Sequence, residues 1–575
     1  MNELNLIVAG QAGQGLQVIS RTLGRLLVRA GYYVFVSQDV MSRIRGGHNS
    51  ARVRVSTRPR AADGDKAEIL IALDPALVAW HVADIAPDAV VVTDVGGDLP
   101  EGVQAVRLPL VDLAREHGKD PVMVNAVALG AALALVGLEL TGLEDLFAGE
   151  FARKGGEVVR RNMAAAEAGH RAVVEDMKRS CPHKLATPEP GDRLLISGAE
   201  ALALGAIAAN VRVVTGYPMS PATPIVEYCF RHAQEAGLIV EQTEDEVSAA
   251  NLAIGAAFAG ARAMTCTAGG GFCLMNEALS LAGMTETPLV LCVGMRPGPA
   301  TGMATRTAQA DLLFAIYAGH GEFPRAVLTP ADAGQAFQAA QDAFRIAEKY
   351  QTPVIVLFDQ FMADAFWTVE RNELKVDNRQ GRHERQVLEG LEPYKYRRYE
   401  MNESGVSSMV LPGTPQQLVY ADSDEHTEAG HITESAAMRV QMVDKRNVKT
   451  AGIRQELAEP KVEVEVEDET LVFCFGSSRG VVAEAVMRLR DKGCRVAMVH
   501  LSHVWPFPAE IVAGLTAKSQ KVVTVEQNYT GQLAQLLLQE CRLRAAGTVR
   551  RYDGRPLTVA EVEAGLEELI GGKVG

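Results

Sequence analysis

Between Thr215 and Arg325 the chain carries four turn-forming segments, each just after a strand-like apolar run. They are Thr215-Gly-Tyr-Pro-Met-Ser-Pro221, Glu241-Gln-Thr-Glu-Asp-Glu246, Thr267-Ala-Gly-Gly-Gly-Phe272 and Arg296-Pro-Gly-Pro-Ala-Thr-Gly302. Open α/β sheets bind ligands outside the carboxyl ends of their strands. Four such turns predict one wall of a ligand site, where an acid, a cation and bare backbone face a common cleft. Buried strand-like runs alternate with helical segments on both sides of this stretch, which predicts an α/β fold of several doubly wound, parallel-sheet domains.

At 575 residues the chain has room for about three or four domains. Its 57 Lys and Arg against 71 Asp and Glu leave a net charge of −14. Nucleic-acid binding needs clustered positive charge, so no nucleic-acid partner is expected. No apolar run is long enough to span a membrane, and the N-terminus enters a strand at Asn5–Ala9 without a basic and apolar leader. These features predict a cytoplasmic protein with no membrane partner. None of the eight cysteines pairs as CxxC, which argues against zinc or an iron–sulfur cluster on this chain alone. Cys266, Cys273 and Cys292 read as small buried hydrophobes.

Residues 1–180 form the first expected domain. Strand Asn5–Ala9 runs into Gly10-Gln-Ala-Gly-Gln-Gly15 and then a helix bearing Leu16, Ile19, Leu23 and Leu27 on one side. Gly10, Gly13 and Gly15 either expose backbone N–H groups to a phosphate at a helix start or simply make a tight turn. Arg45, within Arg43-Ile-Arg-Gly-Gly-His48, either covers the same phosphate or lies on a solvated turn. Residues 178–192 are polar and proline-bearing and read as a linker. A second α/β domain is expected at 193–395. Residues 396–465 show no clear elements and read as a connecting arm; His426 and His431 there are either ligands or hydrogen-bonded loop histidines. A compact α/β domain is expected at 466–575.

The residue types of the wall suggest its chemistry. Tyr217 and Pro218 fix the path after a strand, and Ser220 offers a hydroxyl at the strand's carboxyl edge. Glu241, Glu244 and Asp245 read as surface acids. Glu246 opens an almost uncharged helix, so its carboxyl lies at the margin of an apolar interior, where it can hold and donate a proton. Gly269 and Gly270 let backbone approach a flat group. Arg296 leads a loop stiffened by two prolines and suits a carboxylate, or else pairs with an internal acid. Thr301 can add a hydroxyl to the same anion.

Taken together these motifs resemble the alpha subunit of 2-oxoacid:ferredoxin (2-oxoacid:acceptor) oxidoreductases with the gamma domain fused in front. Gly10–Gly15 with Arg45-Gly-Gly47 is similar to the gamma motifs, and Tyr217–Pro221 to the family's Tyr-Pro-Ile-Thr-Pro turn. Ala318-Gly-His-Gly-Glu-Phe-Pro-Arg325 resembles the 2-oxoglutarate-type branch. Ser423-Asp-Glu-His426, Gly430–Glu434 and Val525–Leu533 extend the likeness to the C-terminus, where the resemblance implies a transketolase C-terminal-like domain at 466–575.

The resemblance implies thiamine diphosphate shared between this chain's pyrimidine-binding domain and a beta subunit, with coenzyme A as co-substrate. Mg2+ and a [4Fe-4S] cluster are implied on that beta subunit, ferredoxin as acceptor, and a dimer of alpha–beta heterodimers. Glu246 would be the catalytic acid. Arg296, Thr301 and Ser220 would hold substrate, while Tyr217, Pro218, Gly269, Gly270, Gly10, Gly13, Gly15 and Arg45 would hold cofactors. The implied reaction is CoA-dependent oxidative decarboxylation of a 2-oxoacid, 2-oxoglutarate to succinyl-CoA and CO2 first among them, or its reverse. A branched-chain or aryl 2-oxoacid, a non-redox thiamine-dependent decarboxylase subunit and a non-catalytic binding subunit are the alternatives. The chain also lacks the Gly-Asp-Gly diphosphate motif and any cluster motif, as half of a split site would.

Overall fold

The computed structural model describes residues 1–41, 46–103, 105–151, 154–176, 184–377, 388, 390–460, 462–463, 470–517 and 519–571. The chain divides into two units, Met1–Ile196 with Ala365–Glu373, and Ser197–Asp364 with Leu374–Gly575.

With strands numbered in chain order, the first unit contains β1 (Glu3–Ala12), β2 (Tyr33–Asp39), β3 (Gly46–Ser56), β4 (Ala67–Ala72), β5 (Ile85–Asp94), β6 (Ala105–Leu108), β7 (Arg193–Ser197) and β14 (Phe366–Glu370). They form one sheet in the order β6-β5-β4-β1-β3-β2-β14-β7. Strands β1, β4, β5 and β6 are parallel, whereas β3 runs antiparallel to both β1 and β2, and β14 antiparallel to β2. The parallel arrangement expected from the sequence thus holds on one side of β1 only. The reason is β3, whose buried Ala51, Val53 and Val55 have the two-residue period of a strand. The segment expected to open the second domain also belongs here. Strand β14 pairs Phe366 with Val36 and Trp367 with Phe35, and Arg193 binds Glu370 at 2.7 Å. Among the described residues no single helix is long and apolar enough to cross a membrane; the apolar helix Val124–Val136 lies in this unit's core.

The second unit holds two sheets. Strands β8 (Val213–Gly216), β9 (Ile239–Gln242), β10 (Ala263–Ala268), β11 (Leu289–Met295), β12 (Ala326–Leu328), β13 (Pro353–Asp359) and β18 (His503–Trp505) are ordered β18-β12-β13-β11-β10-β8-β9. All pair in parallel except β18 with β12. Strands β15 (Val462–Glu463), β16 (Thr470–Phe475), β17 (Val496–Leu501), β19 (Lys521–Glu526) and β20 (Gly547–Arg550) are ordered β15-β17-β16-β19-β20, parallel apart from β15. One apolar core runs through both sheets, from Leu291, Val327 and Leu357 to Phe473, Val499 and Leu533.

A buried polar lock reinforces that core. The Gln309 amide donates to Asp359 Oδ2 and to the Phe475 carbonyl, both at 3.1 Å, and accepts from Ser478 Oγ at 2.9 Å. Ser477 Oγ donates to the same Asp359 oxygen at 2.7 Å. Satisfied buried networks of this kind fix one arrangement of the parts they join. Cys266 and Cys292 are buried and face each other across β10 and β11, but Cys273, expected to be buried with them, is exposed.

The arm expected at 396–465 contains a long helix, Ala436–Glu456. Its buried positions, Met442, Lys445, Arg446, Lys449 and Ile453, have helical spacing. Three are cations, so a search for apolar periodicity passes over them. Lys445 and Lys449 reach buried Glu286 at 2.7 and 2.5 Å. Burial pushes the Glu286 carboxyl up, but Lys449, Lys445 and Arg398 together outweigh it and hold it below the usual carboxylate range. His426 is buried against Tyr399, ring centroids 3.7 Å apart, with no hydrogen-bond partner for either ring nitrogen among the described residues. Burial first, then Arg446, lowers its pKa to about 4. His431 is exposed against Tyr420, and no cluster of metal-ligating residues occurs among the described residues.

Removing the acid of this cluster leaves two ammonium groups buried without it. Glu286→Gln is expected to lower unfolding free energy by about 3–5 kcal/mol, read by denaturant titration. Because the folded pKa is depressed, the Glu286 contribution is full above the unfolded value of 4.5 and is lost as pH falls toward the folded one. Glu286→Gln should therefore flatten the acid limb of the stability profile below that pH.

Candidate functional site

Parallel pairing decides where the four turns lie. Strands β8, β9, β10 and β11 run in one direction, with Thr215 opposite Glu241, Gly216 opposite Cys266 and Ala268 opposite Gly294. All four chain exits therefore lie on one sheet edge, the carboxyl edge. The structure brings together the elements bearing Tyr217, Pro218, Ser220, Glu246, Gly269, Gly270, Arg296 and Thr301.

Helix Glu246–Phe258 begins at that edge. Its cap is Asp245, in extended conformation, whose Oδ1 accepts from Ser248 N at 2.7 Å. Capping is thus done by the neighbour, and Glu246 turns inward. It is only 4% exposed, and its Oε1 is buried with no hydrogen-bond partner among the described residues. The facing surface is the first turn of helix Gly269–Leu274, which follows β10 directly. A Cβ on Gly271 would stand 2.7 Å from Glu246 Oε1 and 2.6 Å from its Cγ, so only glycine fits there. A Cβ on Gly270 would meet nothing closer than the Ala300 carbonyl at 3.7 Å. A desolvated carboxyl beside bare, open backbone fits a planar group that brings its own polar partner for the acid.

Arg296 follows β11 directly. Its Nη1 donates to the Ser220 carbonyl at 2.8 Å, tying the turn after β11 to the turn after β8. Its Nε is buried without a partner, and burial lowers its pKa. Among the described residues no acid pairs with it. Tyr217, Pro218, Ser220 and Thr301 are exposed around it, and the loop closes on itself through Met303 N to the Pro297 carbonyl at 3.0 Å.

In the first unit β1 runs through Ala12, so Gly10 lies inside the strand, paired with Asn49, and the turn proper is Gly13–Gly15. Gly13 and Gly15 have φ of 92° and 72°, and Gly15 caps helix Leu16–Arg29 without a side-chain hydrogen bond, the Asn125 amide lying where a Cβ on Gly15 would stand. Ala12 stands opposite Gly46, so the two glycine segments are neighbours. Arg45 lies outside the described residues. Beside them His48 Nε2 meets His81 Nε2 at 2.8 Å, and His81 Nδ1 meets Asp84 Oδ2 at 3.0 Å. The exposed Trp80 stacks on His48 at 5.0 Å. Burial raises the Asp84 carboxyl, but His81 and Arg52 bring it down to about 2. Sequence reading missed this chain of groups, since only folding brings 48, 52 and 81–84 together.

Known proteins resemble this chain over most of its length. The family profile for pyruvate flavodoxin/ferredoxin oxidoreductase, thiamine diphosphate-binding, matches residues 204–445. The profile for pyruvate ferredoxin/flavodoxin oxidoreductase matches 5–172, and that for pyruvate:ferredoxin oxidoreductase core domain II matches 468–562. The alpha subunit of 2-oxoacid:ferredoxin oxidoreductase 2 from Aeropyrum pernix is 31% identical, over 99% of this chain and 98% of its own. The 2-oxoglutarate oxidoreductase subunit KorA of Mycobacterium tuberculosis is 31% identical over 92% of this chain and 86% of its own. A solved 2-oxoglutarate:ferredoxin oxidoreductase from Magnetococcus marinus, with 2-oxoglutarate, coenzyme A and succinyl-CoA bound, superposes with a TM-score of 0.89 and 31% identity, over 99% of this chain and 100% of that one. With likeness extending over both units, the chain belongs to the family of 2-oxoacid:ferredoxin oxidoreductase alpha subunits.

Proposed function

We propose that this chain, paired with a beta subunit, oxidatively decarboxylates 2-oxoglutarate to succinyl-CoA and CO2, or runs the reverse carboxylation, with ferredoxin as electron carrier. The observation that carries this reading is the buried Oε1 of Glu246, which has no hydrogen-bond partner among the described residues and faces the triglycine segment. The residues fit the aminopyrimidine end of thiamine diphosphate: Glu246 supplies an acid, Gly269 and Gly270 a bare floor, and Tyr217 and Pro218 the rim. When bound, the cofactor supplies the nucleophilic carbon and the electron sink for loss of CO2.

This chain's residues then orient and polarise. Glu246 holds a proton at the ring nitrogen, the role a desolvated acid performs best. Arg296 keeps its Ser220 contact and directs its remaining N–H groups to the substrate carboxylate, with the Ser220 and Thr301 hydroxyls beside it. In the first unit the backbone at Gly10, Gly13 and Gly15, with Arg45, takes the coenzyme A phosphates. The diphosphate, Mg2+ and [4Fe-4S] sites belong to the beta subunit, and the assembly is a cytoplasmic dimer of alpha–beta heterodimers. In support, helix Glu246–Phe258 buries Ala249, Ala250 and Ala253 but exposes Val247 and Leu252 beside the acid, an apolar face suited to a second chain. The domain assignment proposed is a gamma-type domain at 1–180, the pyrimidine-binding domain at 193–395, the arm at 396–465 and a transketolase C-terminal-like domain at 466–575.

In the two-subunit complex Glu246→Gln is expected to lower kcat by ~10²–10⁴-fold while the complex still assembles. Normal turnover would refute the reading. Arg296→Leu is expected to raise KM for 2-oxoglutarate by at least about tenfold, with a smaller effect on kcat, as loss of a charged hydrogen bond to substrate should. Comparing 2-oxoglutarate with a branched-chain 2-oxoacid in the same assay tests the choice of substrate.

A further inference from the structure

Asp311 immediately precedes helix Leu312–Tyr317, where an aspartate ordinarily accepts a hydrogen bond from the first turn. Here its side chain makes no such bond. The Gln532 amide does the work instead: its Oε1 accepts from Leu313 N at 3.0 Å and its Nε2 donates to the Ala310 carbonyl at 2.6 Å. Freed from capping, the Asp311 carboxyl turns to the triglycine segment, and its Oδ2 lies against the point a Cβ on Gly269 would occupy. The three glycines thus run between two acids, Asp311 at Gly269 and Glu246 at Gly271, with Gly270 open between them.

The Ala315 N–H donates to the Asp311 backbone carbonyl at 2.8 Å, but no described residue donates a hydrogen bond to the Asp311 carboxyl or ion-pairs with it. The groups facing it are the Cys273 thiol, pushed up by burial and then by the Asp311 charge, the Gln532 amide and, beyond Gly271, the Glu246 carboxyl. Burial raises the Asp311 pKa to about 6. A half-buried carboxylate acceptor with no donor among the described residues, beside open backbone, matches a ligand that brings an N–H.

We propose that Asp311 is a second acid of the cleft, accepting a hydrogen bond from an N–H of the aminopyrimidine bound over Gly269–Gly271, with Gln532 as its positioning residue. This rests on the cofactor reading above. A donor favours the ionised carboxylate, so cofactor binding expels a proton once pH falls below the carboxyl's own pKa, and affinity drops there.

The test is calorimetric binding of thiamine diphosphate to the complete two-subunit complex from about pH 5 to about pH 8. Wild type should lose affinity below pH 6. Asp311→Asn should bind about tenfold more weakly at the upper pH and lose that pH dependence. Gln532→Leu, which returns Asp311 to capping, should show part of the same loss, and the double variant should be no weaker than Asp311→Asn. Wild-type affinity and pH profile in Asp311→Asn, with binding weakened in Glu246→Gln, would overturn the proposal and leave the cofactor reading intact. A pH limb that vanishes in Glu246→Gln but persists in Asp311→Asn would overturn it too. No binding of thiamine diphosphate by any form would overturn both readings.

Discussion

Parallel pairing of β8, β9, β10 and β11 is the constraint on which the site depends. Parallel strands must each be re-entered through a crossover, so successive strands all leave the sheet at the same end. An acid, a triglycine turn and an arginine, separated by tens of residues in sequence, therefore share one edge. Helix Glu246–Phe258 rests its alanine face on that sheet, and Thr215 Oγ1 donates to the Ala249 carbonyl beneath it at 2.8 Å. This seats the first helical turn, and Glu246 with it, deep enough to lose water.

Polar groups in this molecule are buried for contrasting ends. Glu286 is enclosed by Lys445, Lys449 and the Arg398 guanidinium, and Asp359 by Gln309 and Ser477. Each holds distant segments in one arrangement. Glu246 and Arg296 keep buried atoms with no hydrogen-bond partner among the described residues. Unmet hydrogen-bonding capacity inside a native protein calls for an explanation, and the ligand proposed for this edge would supply one.

Much of this was legible in the sequence because it is written in local rules. Glycine and proline mark the turns, apolar runs mark the strands, and an acid before an uncharged alanine-rich helix marks Glu246. What was hidden obeys other rules. Helix Ala436–Glu456 buries lysines and an arginine where a pattern search looks for leucines. Strand β3 begins inside a glycine segment that reads as a turn. Asp311 is not singled out by its local sequence, because what frees its carboxyl is Gln532, more than two hundred residues away. The histidine chain at His48 and His81 needs the fold before it exists at all.

The pairing of β18 with β12 has a bearing on biosynthesis. Val327 and Leu328 present their free edge long before Trp505 and His503 leave the ribosome to cover it. During that interval the nascent chain carries an unprotected hydrophobic strand, a template for wrong partners. This sheet can close only after β18 has emerged, so production of this polypeptide should depend on chaperone holding more heavily than its finished, well-buried architecture suggests.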